Sequence, residues 1–127
     1  MEVQKTSEYE FDFERLDVYR KTVELVVIFF KITKPLPREY QFSLADQLRR
    51  AGLSVLNNLA EGSGKLSKKE RAQFYRTSLN SARECVPMLT LLKREGQLSC
   101  QAYQQIRQDV IHIANMLGKL IASVNSH

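Results

Sequence analysis

The stretch from Gln47 to Gly62 reads as one helix with more apolar surface than the core of a small domain needs. At about 100° per residue, Leu44, Leu48, Ala51, Val55 and Leu59 share one face, while Leu53, Leu56 and Ala60 form a second face beside it. Polar residues keep a narrow strip: Gln47, Arg50, Ser54, Asn57, Asn58 and Glu61. A helix apolar on most sides is buried between several neighbours. In a short chain that means a central helix or a subunit interface.

The chain can supply such neighbours. Its 127 residues fit one domain with a real core, and 43% hydrophobic against 26% charged residues excludes a disordered polymer. Cys85 and Cys100 both fall in helical patterns, where a thiol serves as a small apolar side chain. Reduced core cysteines are expected, not a disulfide framework. Residues 1–12 carry Glu2, Glu8, Glu10 and Asp12 without an apolar run, and read as a flexible acidic segment, neither signal peptide nor membrane span. A cytoplasmic location is expected.

Four helical segments fill residues 13–123, leaving 124–127 as a tail. The first runs from about Phe13 to Lys34, capped by Asp12 and stopped by Pro35-Leu36-Pro37; Leu16, Tyr19, Val23, Val26, Val27 and Phe30 form its expected core stripe. Ser43, with Asp46 at the reciprocal position, caps the second, which ends at Gly62-Ser63-Gly64. Ser67 and Glu70 form a capping box for the third, which ends at Gly96 and should kink at Pro87. The fourth runs from near Ser99 to Ser123, with Tyr103, Ile106, Val110, Ile113, Leu117, Leu120 and Ile121 on one side. Short connections predict an all-α, antiparallel, up-down-up-down four-helix bundle.

The first helix repeats the surplus of the second. Opposite its expected core stripe lies another apolar row, Val18, Leu25, Phe29 and Ile32, large enough to mark an interaction surface if left in water. With Leu53 and Leu56, this row predicts a homo-oligomer interface. Arg49 falls on the same face and, if buried there, needs a partner to offset its desolvation; Arg49, Arg50 and Glu61 are assigned to salt bridges within or between subunits.

Positive charge is concentrated in one segment. Residues 49–94 hold ten Lys or Arg against three Asp or Glu, which carries the whole excess of the formal net charge of +5. Lys69, Arg76 and Arg83 recur every seven residues, a line on the third helix with charges roughly 10 Å apart. Lys65, Lys68 and Arg71 crowd that helix's N-terminal end, where the backbone already favours an anion. Such a row suits a phosphate backbone, held without reading sequence, and a ring would multiply the rows.

Catalytic signals are thin. A di-iron bundle needs two Glu-x-x-His pairs, and the only nearby spacing is Asp109-x-x-His112, outside the fourth helix's core stripe. No metal or cofactor is expected, and no phosphate loop or nucleophile elbow is present. Arg107 and His112 resemble the Arg-x(4-6)-His signature of HEPN ribonucleases, in which the pair polarises an RNA phosphate and shuttles a proton. Five helical residues separate the two side chains by about 140°, so the signal is weak. A structural adaptor for another protein is the third reading.

The residues also carry a family pattern. Phe13-Glu14-x-Leu16-x-Val18-Tyr19, then Leu44, Gln47-Leu48-Arg49-Arg50-Ala51, Ser54-Val55 and Asn58-Leu59-Ala60-Glu61-Gly62, then Phe74-Tyr75-Arg76 and Ala82-Arg83-Glu84-Cys85-Val86-Pro87-Met88, together resemble the bacterial four-helix-bundle proteins encoded in 23S rRNA intervening sequences. Relatives of these include the accessory proteins of diversity-generating retroelements. Two positions depart from the pattern: Leu56 stands where a Pro is frequent, and Tyr19 where a Trp is usual. The resemblance implies a homopentameric ring without established catalytic activity. Its retroelement branch implies binding of nucleic acid and a reverse transcriptase through basic surfaces. The expectation is therefore a non-enzymatic oligomer that binds RNA or DNA through Lys65, Lys68, Lys69, Arg71, Arg76 and Arg83.

Overall fold

The computed structural model describes residues 9–126; most of the expected acidic segment, Met1–Glu8, and His127 at the end of the expected tail lie outside them. The described residues form helices and turns, with no strand. A 3-10 turn, Asp12–Arg15, precedes α1 (Asp17–Thr33); a one-turn α2 (Arg38–Gln41) leads to α3 (Leu44–Ser63), α4 (Lys68–Arg94) and α5 (Cys100–Asn125). No helix among the described residues is long and apolar enough to cross a membrane.

Local chemistry explains most boundaries. Glu14 closes its carboxylate onto the Phe11 N–H at 2.8 Å, tying Phe11–Arg15 into a separate turn, so α1 starts at Asp17 and not at Phe13. Ser43 does not cap α3: its hydroxyl donates back to the Glu39 and Tyr40 carbonyls, and Asp46 pairs with Arg50 at 2.9 Å. The caps at Ser67 and Ser99 form, accepting from the Glu70 and Ala102 N–H groups. At the end of α4, Gly96 takes φ +74°, while the Gln97 N–H reaches the Leu92 carbonyl (2.9 Å) and the Gly96 N–H reaches that of Lys93 (3.0 Å). This closure needs a left-handed residue, which glycine supplies without a Cβ clash. Pro87 leaves α4 continuous and sits on its exposed side, where a carbonyl that has lost its partner can face water.

The long helices pack in a closed cycle, α3 against α1 and α4, α5 against α4 and α1. Phe29, Leu48, Val55, Leu59, Leu89 and Ile113 are among the side chains fully buried between them. Gly52 admits α1 closely, since a Cβ there would stand 2.8 Å from Phe29 Cδ2. Between α3 and α4, Ser78 donates to the Val55 carbonyl at 2.7 Å and Ser54 bonds Ser81 at 2.7 Å, so these enclosed hydroxyls keep partners.

Two expectations are corrected. Val18, Leu25 and Phe29, read as an outward row for a partner copy, are 4%, 1% and 0% exposed and belong to this chain's own core, with Ile32 packed partly buried against it. The outward residues are instead Val27 and Phe30, 47% and 46% exposed, with Val23 half-buried beside them. The rotational phase of α1 is set by features other than apolarity. Gly52 opens a notch that Phe29 fills, with Val26 beside it. Thr22 and Thr33 can be buried on that face because each hydroxyl donates to the carbonyl four residues back, at 2.7 Å. Cys85 is a buried free thiol as expected, but Cys100, the first residue of α5, is exposed.

Candidate nucleic-acid interface

The basic residues of α4 separate by environment. Lys69, Gln73, Arg76, Asn80 and Arg83 follow one another at steps of three or four residues, all exposed, as one stripe along the helix. Glu70 lies about 100° from the axis of the stripe and Glu84 about 60°, the latter flanking its far end one turn beyond Asn80. Lys69, Arg76 and Arg83 have no ion-pair partner among the described residues. Gln73 and Asn80, which the charge pattern does not single out because amides are uncharged, share the stripe with the cations. Their place between cations is the cue, each adding donors that can reach a phosphate oxygen.

The cations at the start of α4 are held differently. Lys65 is half-buried, pairs with Glu61 at 3.2 Å and lies 5.2 Å from the Phe74 ring centroid, so its charge is already engaged. Lys68 is exposed, whereas Arg71 is half-buried and its Nε is enclosed with no hydrogen-bond acceptor among the described residues. An orphaned donor of this kind costs about 1–3 kcal/mol. Lys68 and Arg71 line a cavity of about 340 Å³ with Asp12 and Leu16 from the N-terminal turn, Ser63 and Tyr75, and the end of α5. Tyr75 and Ser63 bond each other there at 2.8 Å.

Arg50 and Glu61 make salt bridges within the chain, with Asp46 and Lys65. Arg49 does not: it is half-buried, with Nη1 donating to Thr33 Oγ1 at 2.8 Å and Nη2 to the Gln41 carbonyl at 3.2 Å, and it lies 5.9 Å from the Phe30 ring centroid. Gln41 in turn donates to the Thr33 and Leu36 carbonyls, so Arg49 pins the connection between α1 and α3 without a carboxylate. Arg49, Leu53 and Leu56 lie along α3, and Val23, Val27 and Phe30 along α1, at the same spacing; the Arg49–Phe30 contact puts both lines on one side of the molecule. Leu53 is 38% exposed and Leu56 half-buried.

Arg107 and His112 are both exposed on α5. No group of three or more His, Cys, Asp or Glu among the described residues could hold a metal ion. Burial pushes the Cys85 thiol up to about 12, with a smaller contribution from the neighbouring Glu84 charge. The Tyr40 hydroxyl is raised chiefly by its 3.0 Å hydrogen bond to Glu95.

The family model described as 23S rRNA-intervening sequence protein matches residues 14–119. The chain belongs to that family. A crystal structure of a protein of unknown function from the S23 ribosomal protein family of Bacteroides thetaiotaomicron is similar at 26% identity and a TM-score of 0.77, covering 83% of this chain and 95% of that one. No curated protein matches the chain. Within α3, Leu48, Ala51, Val55, Leu59 and Gly62 are buried, while Arg50 and Glu61 are surface ion-pair members.

Proposed function

We propose that this family member is a non-enzymatic, self-associating helical bundle that holds the backbone of RNA or DNA along α4. The observation that carries the reading is the stripe Lys69–Gln73–Arg76–Asn80–Arg83: three exposed cations alternating with amides, with no ion-pair partner among the described residues. Phosphate contacts of this kind give affinity without base recognition. RNA is the first target to test, because the stripe presents donors suited to a phosphate backbone.

Self-association uses the outer side of α1 and α3, with Val23, Val27, Phe30, Leu53 and Leu56 as contact residues and Arg49 at their edge. A homopentameric ring remains the assembly expected from the family pattern. An antiparallel run of α1, α3 and α4, as the up-down-up-down order requires, is supported by cross-helix pairs running in opposite senses: Ser63 with Tyr75 and Ser54 with Ser81 between α3 and α4, and Arg49 with Thr33 while Gly52 meets Phe29 between α3 and α1.

Charge reversal tests the assignment. Arg76→Glu with Arg83→Glu should weaken retention of RNA on the protein while the particle mass in light scattering stays unchanged. Undiminished retention would remove α4 from the interface.

A further inference from the structure

The cavity at the start of α4 differs from the open stripe. Two cations, Lys68 and Arg71, face one carboxylate, Asp12, around a space of about 340 Å³, at the lower end of the range of roughly 300–1,000 Å³ usual for small-molecule sites. Arg71 has no ion-pair partner among the described residues, and its Nε has no acceptor although it is enclosed. A guanidinium so placed, beside an ammonium, matches a dianionic oxygen cluster that can take forked hydrogen bonds. The other lining is mixed. Leu16, Leu120 and Val124 form an apolar wall, and Asp12 and Ser123 supply acceptors for hydroxyl groups.

We propose that this pocket binds a phosphomonoester attached to a sugar and base, either a free nucleoside monophosphate or the phosphorylated end of a strand. The phosphate sits on Lys68 and Arg71, the sugar hydroxyls on Asp12 and Ser123, and the base against Leu120 and Val124. A shift of Arg71 towards the phosphate gives its orphaned nitrogen an acceptor. The site rests on the reading above and deepens it, since it would hold a phosphorylated end on the side of α4 turned away from the stripe.

The test uses the full chain and two matched pairs of probes: adenosine 5′-monophosphate against adenosine, and a short single-stranded RNA with a 5′-phosphate against the same RNA with a 5′-hydroxyl. At least one phosphorylated probe should bind about tenfold or more tightly than its hydroxyl counterpart, the scale of one charge-assisted hydrogen bond. That preference should vanish in Arg71→Gln and in Val124→Trp, which fills the cavity without removing a cation, and persist in Arg107→Gln. Preference for the monophosphate alone identifies a free nucleotide as ligand, and preference for the phosphorylated RNA identifies a strand end. No preference in either pair, or a preference that survives Arg71→Gln, overturns the proposal. The two readings fail separately: a defunct stripe shows as no RNA retention with monophosphate binding intact, a defunct pocket as retention indifferent to the terminal phosphate.

Discussion

At Gly52 and Gly118 the same substitution should have opposite effects. Both glycines lie inside helices, where alanine is preferred by about 1 kcal/mol. A Cβ at Gly118 meets nothing within 4 Å, so Gly118→Ala should raise the unfolding midpoint in denaturant. A Cβ at Gly52 stands 2.8 Å from Phe29 Cδ2 and 3.3 Å from Val26 Cγ2, and Phe29 is fully buried. Gly52→Ala should therefore destabilise by about 1–3 kcal/mol, the usual cost of overpacking. Equal shifts for the two variants would contradict the tight α1–α3 approach. The thiols divide similarly: under native conditions a thiol reagent should label Cys100 promptly and Cys85 only on unfolding. Because the folded Cys85 thiol is raised above its ordinary 9.0, its preference for the protonated form is fully present below pH 9 and is lost as pH climbs towards about 12. The stability difference between wild type and Cys85→Ala should narrow over that interval; a constant difference would show that Cys85 is not held as a buried thiol.

At the scale of elements, α4 and α5 were legible because each has one apolar side and a charged or amide-rich opposite side. The buried Ile106, Val110, Ile113 and Leu117 are the ones that periodicity selects. The rotation of α1 was not legible, since apolar residues occupy most of the circumference outside the charged strip of Asp17, Arg20, Lys21, Glu24 and Lys31, and periodicity alone cannot choose within so wide an apolar arc. The choice rests on Thr22 and Thr33, which satisfy their own hydroxyls, and on a glycine in a different helix, a pairing visible only once α1 and α3 are side by side. The stripe on α4 was legible in its cations, but the sequence could not reveal that Lys65 is engaged by Glu61 and Phe74 or that Arg71 lines a cavity with its Nε enclosed. Corrected rotation changes the mutational test of assembly. Phe29→Ala should cost about 3–5 kcal/mol as a core truncation, whereas Val27→Asp with Phe30→Ser should reduce the particle mass and lower the chemical-denaturation midpoint only by what association contributes at that protein concentration. Retention of full mass by the double variant would move the contact elsewhere.

The molecule as a whole combines an apolar side on α1 and α3 with a basic edge on α4, and the sequence isoelectric point of about 9.4 favours polyanion binding at neutral pH. The central claim is that phosphate contacts on α4 supply the affinity. Its most direct test is the salt dependence of RNA binding, measured for wild type and for Arg76→Gln with Arg83→Gln. The account predicts a linear fall of log K with log salt, made shallower in the double variant by roughly 1.4–1.8, the counterion release of two lost phosphate contacts. An identical slope in both proteins, or binding insensitive to salt, would contradict it.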